Sequence, residues 1–250
     1  MTHDDTQAFK DAFAASSRGG TVFVPDGRYK LTDTIQIPRW GMMVLSGSVE
    51  LRFFDMEDGN GGWKPCIKLR LYARLKGNGS LVIVDYNYKG HAIELYTDED
   101  PLYQLNEPFG DSNPSWRQSR EVDNIAILKR AFANGSAVAV TDLHNIGGDG
   151  IYIGAVVSSS YEHSSSAREA RNYQWTTHVN ARIAGGFENG FHLELKDKNE
   201  SWMSDTYISG VVESAETAVL IDKVTGGVYC DVIFQPLKCY PDSAYLPVWK

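Results

Sequence analysis

Asn180-Ala181-Arg182-Ile183, Asp205-Thr206-Tyr207-Ile208 and Cys230-Asp231-Val232-Ile233 fall at one interval, with Ile183, Ile208 and Ile233 each 25 residues apart. A fixed period of this size is the signature of a solenoid, in which each repeat buries its apolar face only by stacking on its neighbours. Upstream, the chain aligns without gaps at an offset of 40, matching Leu143 to Ile183, Gly150 to Gly190, Ile151 to Phe191 and Ile153 to Leu193. Forty is one 25-residue coil plus an insertion of 15, visible as the polar run Ser158 to Ser166 that continues to about Trp175. Gly90-His91-Ala92-Ile93-Glu94-Leu95 echoes Gly190-Phe191-His192-Leu193-Glu194-Leu195 and is also followed by a long polar segment, Thr97 to Arg120, with Pro101, Pro108 and Pro114. Both insertions therefore leave the coil at one corner. Equivalent corners of neighbouring coils lie about 4.8 Å apart, so the insertions crowd one side, the expected working face.

The apolar runs are short and β-branched or aromatic: Val22-Phe23-Val24, Leu81-Val82-Ile83-Val84, Val138-Ala139-Val140, Ile151-Tyr152-Ile153 and Val219-Leu220-Ile221. With 23 glycines between them, these read as strands and turns. Met42-Met43-Val44-Leu45 and Leu51-Arg52-Phe53-Phe54 also read as strands, without falling on the period. One helix is expected near the start, capped by Asp4, Asp5 or Thr6, carrying Ala8, Phe9, Ala12 and Phe13 on one stripe and ended by Gly19-Gly20.

Asp4-Asp5-Thr6-Gln7-Ala8-Phe9, followed by Gly19-Gly20-Thr21-Val22-Phe23-Val24-Pro25-Asp26-Gly27-Arg28-Tyr29-Lys30-Leu31, resembles the opening of the pectate-lyase-like superfamily as found in bacteriophage tailspikes and related appendage proteins. The resemblance covers about 30 residues and implies a capping helix, a strand, a Pro-x-Gly turn and a second strand leading into a right-handed parallel β-helix. Elementary physics agrees: a helix can cover the open end of the first coil, and Pro25-Asp26-Gly27 makes a sound turn. The expected fold is thus all-β, a right-handed single-stranded parallel β-helix of about 25 residues per coil. Residues 1–20 form the cap, 21–240 the β-helix with insertions at about 97–120 and 158–175, and 241–250 a tail. The family has a strand-forming stretch and a Gly-Asp-Gly run before the Asp-Asp-Thr that this chain lacks, and 241–250 leaves the repeat without a cap, so a piece of a longer protein is expected. The resemblance also implies a homotrimer at a virion tail or outside the cell. It does not fix an activity, because the fold hosts lyases, hydrolases, transferases and non-catalytic binders.

Lys plus Arg total 24 against 32 for Asp plus Glu, a formal charge of −8, with no basic run to track a phosphate backbone, so nucleic acid is not an expected partner. No stretch approaches the roughly 20 apolar residues of a membrane span, and Met1-Thr2-His3-Asp4-Asp5 does not resemble a signal peptide; neither membrane insertion nor an export signal is expected. Cys66, Cys230 and Cys239 lack CxxC spacing and read as core thiols, with neither a disulfide framework nor a zinc knuckle expected.

Glycosidic hydrolysis needs two carboxyl groups flanking the bond. The 25-residue period would stack Glu188 on Glu213, and the offset of 40 brings Asp149 beside the position matching Glu188. Mutual repulsion in such a stack would separate the pKa values into an acid and a base. Solvated turn glutamates in Glu188-Asn189-Gly190 and Glu213-Ser214-Ala215 are the plainer reading. Glu94 and Glu194 alternate with apolar neighbours and should point outward. The Trp-x-Asp-His, Asn-Thr-Asp and Gly-His-Gly signatures of pectin-cleaving relatives are missing. Gly147-Gly148-Asp149-Gly150 lacks the Lys-Ser/Thr of a phosphate loop and reads as a tight corner. His91, His144, His163, His178 and His192 have no zinc spacing, and no metal or cofactor is expected.

The insertions carry aromatic residues in polar sequence: Tyr103, Phe109 and Trp116 in the first, Tyr161, Tyr173 and Trp175 in the second, with Trp202 at the same corner one coil later. Such rings suit stacking on sugars, and loops on a rigid scaffold are where binding residues concentrate; alternatively they pack the loops or a subunit interface. The expected function is tailspike-like recognition of a bacterial surface polysaccharide, extended to depolymerisation if Glu188, Glu213 or Asp149 supply acid and base. A structural trimeric stalk, or a carbohydrate-binding solenoid without activity, is the alternative.

Overall fold

The structure is a computed structural model that describes residues 3–16, 19–70, 72–97, 120–133, 136–138, 146–155, 177–195, 206–222 and 228–235. Along the chain these form α1 (Thr6–Ala15), β1 (Thr21–Val24), β2 (Gly27–Leu31), β3 (Ile35–Ile37), β4 (Met42–Leu45), β5 (Val49–Phe53), β6 (Ile67–Leu69), β7 (Arg74–Asp85) and β8 (His91–Thr97). There follow β9 (Arg120–Ala133), β10 (Ser136–Val138), β11 (Asp149–Ala155), β12 (Thr177–Ala184), β13 (Asn189–Leu195), β14 (Thr206–Glu213), β15 (Thr217–Asp222) and β16 (Val228–Gln235).

The strands build two open sheets. The larger runs β1-β4-β7-β9-β12-β14-β16, with β5 pairing both β2 and β7, and the smaller runs β15-β13-β11-β8-β6-β3. Every described pairing between these strands is parallel except that of β10, which folds back antiparallel on β9. Each smaller-sheet strand is followed along the chain by a larger-sheet strand, so sheet neighbours come from successive passes. This all-β order with one short helix is compatible with a solenoid, because parallel neighbours need a crossover connection.

Alternation sets the core. In β12, Thr177, Val179, Ala181 and Ile183 are buried while His178, Asn180 and Arg182 are exposed. Across the smaller sheet, Ile93, Ile151 and Phe191 stack in register, as do Leu95, Ile153 and Leu193. Helix α1 contributes Phe9 and Phe13 to the same core cluster. Its first turn is fixed by Asp4, whose Oδ1 accepts from Thr6 N at 2.9 Å, and Thr6 Oγ1 in turn accepts from Thr32 N at 2.8 Å. This α1 helix is too short to cross a membrane, and among the described residues no helix is long and apolar enough.

The offset of 40 is seen as Ile151 on Phe191 and Ile153 on Leu193; Leu143 lies outside the described residues. The strict 25-residue stacking is not the register observed. Val179 pairs with Ile208, 29 residues on, and Ile208 pairs with Cys230, 22 residues on. Shifts of four and three residues have different consequences, because side chains alternate with period 2. The first keeps Ile183 inward, opposite Val212; the second turns Ile233 outward, opposite Val211 and 62% exposed. Cys66 is buried as expected, but Cys230 is exposed rather than in the core, because β16 is the end strand of the larger sheet. The Gly90–Leu95 echo is likewise displaced by two residues, Ile93 pairing with Ile151 and through it with Phe191, which preserves the inward face. Of the expected strand Val138-Ala139-Val140, Val138 ends the return strand β10, and Ala139 and Val140 lie outside the described residues.

Candidate functional site

The corner opening the smaller sheet's strands carries an unusual set of polar groups. His91, Asp149, Asn189 and Thr217 are register partners at the starts of β8, β11, β13 and β15. The glycines around Asp149 make the corner possible. Gly148 has φ +70° and a Cβ there would meet Gly90 O at 2.4 Å; one on Gly150 would meet Gly190 O at 2.8 Å. Asp149 is thereby set down at 4% exposure, where an unpaired carboxylate would be costly.

It is paired on both oxygens. Asn189 Nδ2 donates to Oδ1 at 2.8 Å, and His192 Nδ1 donates to Oδ2 at 3.0 Å. His91 Nδ1 lies 2.8 Å from the same Oδ2 but off the direction of a hydrogen bond, so that contact is electrostatic. Burial opposes ionisation of Asp149, yet the contacts from His192, His91 and Asn189 outweigh it and hold the carboxyl well below its usual range. For His192 burial favours the neutral ring, but Asp149 first, then Glu194 and Asp222, raise its pKa above the ordinary value. Tyr152 stacks on His91 at 4.2 Å, meets His192 edge-on at 5.1 Å, and donates from Oη to Glu194 Oε2 at 2.7 Å. On the next strand Glu94 pairs with Lys68 at 3.5 Å. A carboxylate that binds Nδ1 fixes the imidazole tautomer and leaves Nε2 to exchange protons, the chemistry of an acid–base pair.

The other expected acids fall in two places. Glu188 is at this corner: its N–H donates to Gly148 O at 2.9 Å and its carbonyl accepts from Thr217 N at 2.9 Å. Counting back one residue from the Asn189–Thr217 pair, its neighbour across the strands is Glu216. Glu213 instead ends β14 in the larger sheet, in register with Ala184, and both its oxygens engage Arg182 Nη2, at 2.8 and 3.1 Å. Tyr103, Trp116, Tyr161, Tyr173, Trp175 and Trp202 lie outside the described residues.

The larger sheet presents a row of rings that the 25-residue alignment hid. His178, Tyr207 and Tyr229 are register partners and stack at 4.8 and 4.6 Å with planes within 8° of parallel. Tyr207 and Tyr229 are 37% and 54% exposed. The signal was Thr177-His178-Val179-Asn180, Thr206-Tyr207-Ile208-Ser209 and Val228-Tyr229-Cys230-Asp231, each with a ring second. Asn180, Ser209 and Asp231 form a polar row beside it. Among the described residues no group of three His, Cys, Asp or Glu side chains is arranged to hold a metal ion. No protein-family model matches the chain, and no curated protein and no solved structure matches it.

Proposed function

We propose that this chain is a right-handed, single-stranded parallel β-helix of the bacteriophage appendage kind, capped by α1, that binds a bacterial surface polysaccharide as a homotrimer. The alternation of parallel strands between two sheets and the opening Asp-Asp-Thr to Pro-Asp-Gly motif support the architecture. The observation that carries the binding reading is the exposed row His178, Tyr207 and Tyr229 beside the polar row Asn180, Ser209 and Asp231. Rings and hydrogen-bonding groups then repeat at about the 4.8 Å strand spacing, offering a long, repetitive ligand apolar edges and polar groups at every step. Binding of a panel of capsular and wall polysaccharides tests this: wild type retains at least one polymer, Tyr207→Ala weakens it about tenfold, and failure of the wild type to bind any overturns the reading.

A second reading, cleavage of the bound glycan, is favoured by the Asp149–His192 pair. Glycan chain length followed by mass spectrometry during the same incubations separates a depolymerase from a binder. Shortening of one polymer establishes cleavage, and none rejects it.

A further inference from the structure

Away from both rows, a cleft of about 390 Å³ lies between the segment after β5 and the turn after β7. Its size is that of a small-ligand site. Phe54, Trp63 and Tyr88 give it aromatic walls, and Asp55, Glu57 and Asp85 give it three carboxylates; no Lys or Arg is among its lining residues. The walls are fixed. Tyr88 Oη lies 2.8 Å from Lys64 O and 2.7 Å from His91 O, and its ring meets Trp63 edge-on at 5.3 Å. Phe54 is held against Phe132 at 4.2 Å, with Lys30 Nζ 5.6 Å from its ring centre. Trp63 is also bridged to Glu57, which closes the loop carrying that carboxylate. Asp55 has φ +55°, a left-handed conformation that a non-glycine residue adopts at a cost, and its side chain remains exposed.

We propose that this cleft seats one sugar unit without negative charge, an amino sugar in preference to an uncharged one. Trp63 supplies the flat face for the pyranose ring, and the carboxylates of Asp55, Glu57 and Asp85 accept from hydroxyl and ammonium groups. The same three charges repel a uronate or sulfated unit. The assignment rests on the polysaccharide-binding reading and adds to it the class of sugar and a second place of contact.

Calorimetry with the whole chain tests it, using glucosamine oligomers, an uncharged glucan oligomer and an oligogalacturonate. The expected order is glucosamine above glucan, with the galacturonate unbound. Trp63→Ala should weaken glucosamine binding at least tenfold and Trp63→Phe should retain most of it. Asp55→Asn with Glu57→Gln and Asp85→Asn, changes in side chains that line the cleft outside the core, should bring glucosamine down to the affinity of glucan. Galacturonate binding as tight as glucosamine, or an amino preference that survives the triple substitution, overturns the proposal. A polymer held by wild type, lost in Tyr207→Ala and unaffected by Trp63→Ala, overturns the cleft alone. A wild type that binds no glycan overturns the cleft and the polysaccharide reading together.

Discussion

Asp149 and His192 are joined across adjacent parallel strands by a 3.0 Å hydrogen bond, although they are not register partners. Asp149 stands opposite Asn189, and the carboxylate reaches diagonally to the residue three positions further along β13. That diagonal depends on the offset of 40 between β11 and β13, so the register that builds the core also assembles the titratable group. Because Asp149 is buried, it acts on anything outside the protein through the imidazole.

Replacing Asp149 by Asn should therefore alter stability and its pH dependence together. His192 has a folded pKa above its ordinary value of 6.5, so its contribution is fully present below about pH 6.5 and is lost as pH rises through the raised value. Asp149 works in the opposite sense, contributing above the ordinary carboxylate range and losing that contribution only in strong acid. Asp149→Asn should cost about 1–3 kcal/mol at neutral pH and lower the pKa of His192, read by thermal unfolding from pH 5 to 9 and by NMR of the ring. An unchanged His192 titration would refute the coupling.

Lys129 gives a second pH signature, of opposite slope. Its Nζ donates to Gly147 O at 2.5 Å and Gly186 O at 3.2 Å and lies 4.9 Å from the Phe187 ring centre, fully buried. Burial first, and then Lys89, pull its pKa down to about 8. Between about pH 8 and 10.5 the unfolded chain holds a proton that the folded chain has released, so stability rises with pH across that window. The difference in unfolding free energy between wild type and Lys129→Met should grow over this interval. A constant difference would show that the amine keeps its proton.

Gly210 is where the backbone leaves no choice of residue. It has φ +135°, and a Cβ there would meet Ala181 O at 1.9 Å between β14 and β12. Gly59 also has positive φ, +81°, but opens on empty space. Gly210→Ala should cost more than about 3 kcal/mol, against about 1 kcal/mol for Gly59→Ala, by urea denaturation. Similar costs would mean that β14 shifts to relieve the contact.

The sequence carried the strand content, the early helix and the offset of 40 because each rests on local pattern: short β-branched runs, Phe9 and Phe13 one turn apart, and glycines that mark equivalent corners. The register of β12, β14 and β16 was harder to read. Val, Ile and Cys occur at several phases within these strands, so aligning Ile183, Ile208 and Ile233 looked as good as the true match through Val179, Ile208 and Cys230. The ring at the second position of each strand was the better phase marker, since Tyr207 and Tyr229 would be costly to bury without partners for their hydroxyls. At the corner, Asp149 was reached through the offset of 40, which the strands keep, and Glu188 through a 25-residue stacking on Glu213, which they do not. His91 and His192 were not reached, because the diagonal bond and the displaced echo of β8 exist only once the strands are laid side by side.

That register also separates two routes to glycan cleavage. Glu213 sits opposite Ala184 with its carboxylate shared by Arg182, whose side chain is 60% exposed, and Glu188 has Glu216 rather than Glu213 across the strands. An exposed pair of this kind contributes little, so Glu213→Gln should change stability by less than about 1 kcal/mol. On a polymer that the chain shortens, Glu213→Gln should retain turnover, whereas His192→Gln should reduce it by about 10²–10⁴, the usual worth of a positioned proton donor or acceptor. The reducing ends released per unit time decide the matter. Turnover abolished by Glu213→Gln in a folded protein would return the acid–base role to the larger sheet, and turnover retained by His192→Gln would leave Asp149 as the buried anchor of the corner, with no part in the chemistry.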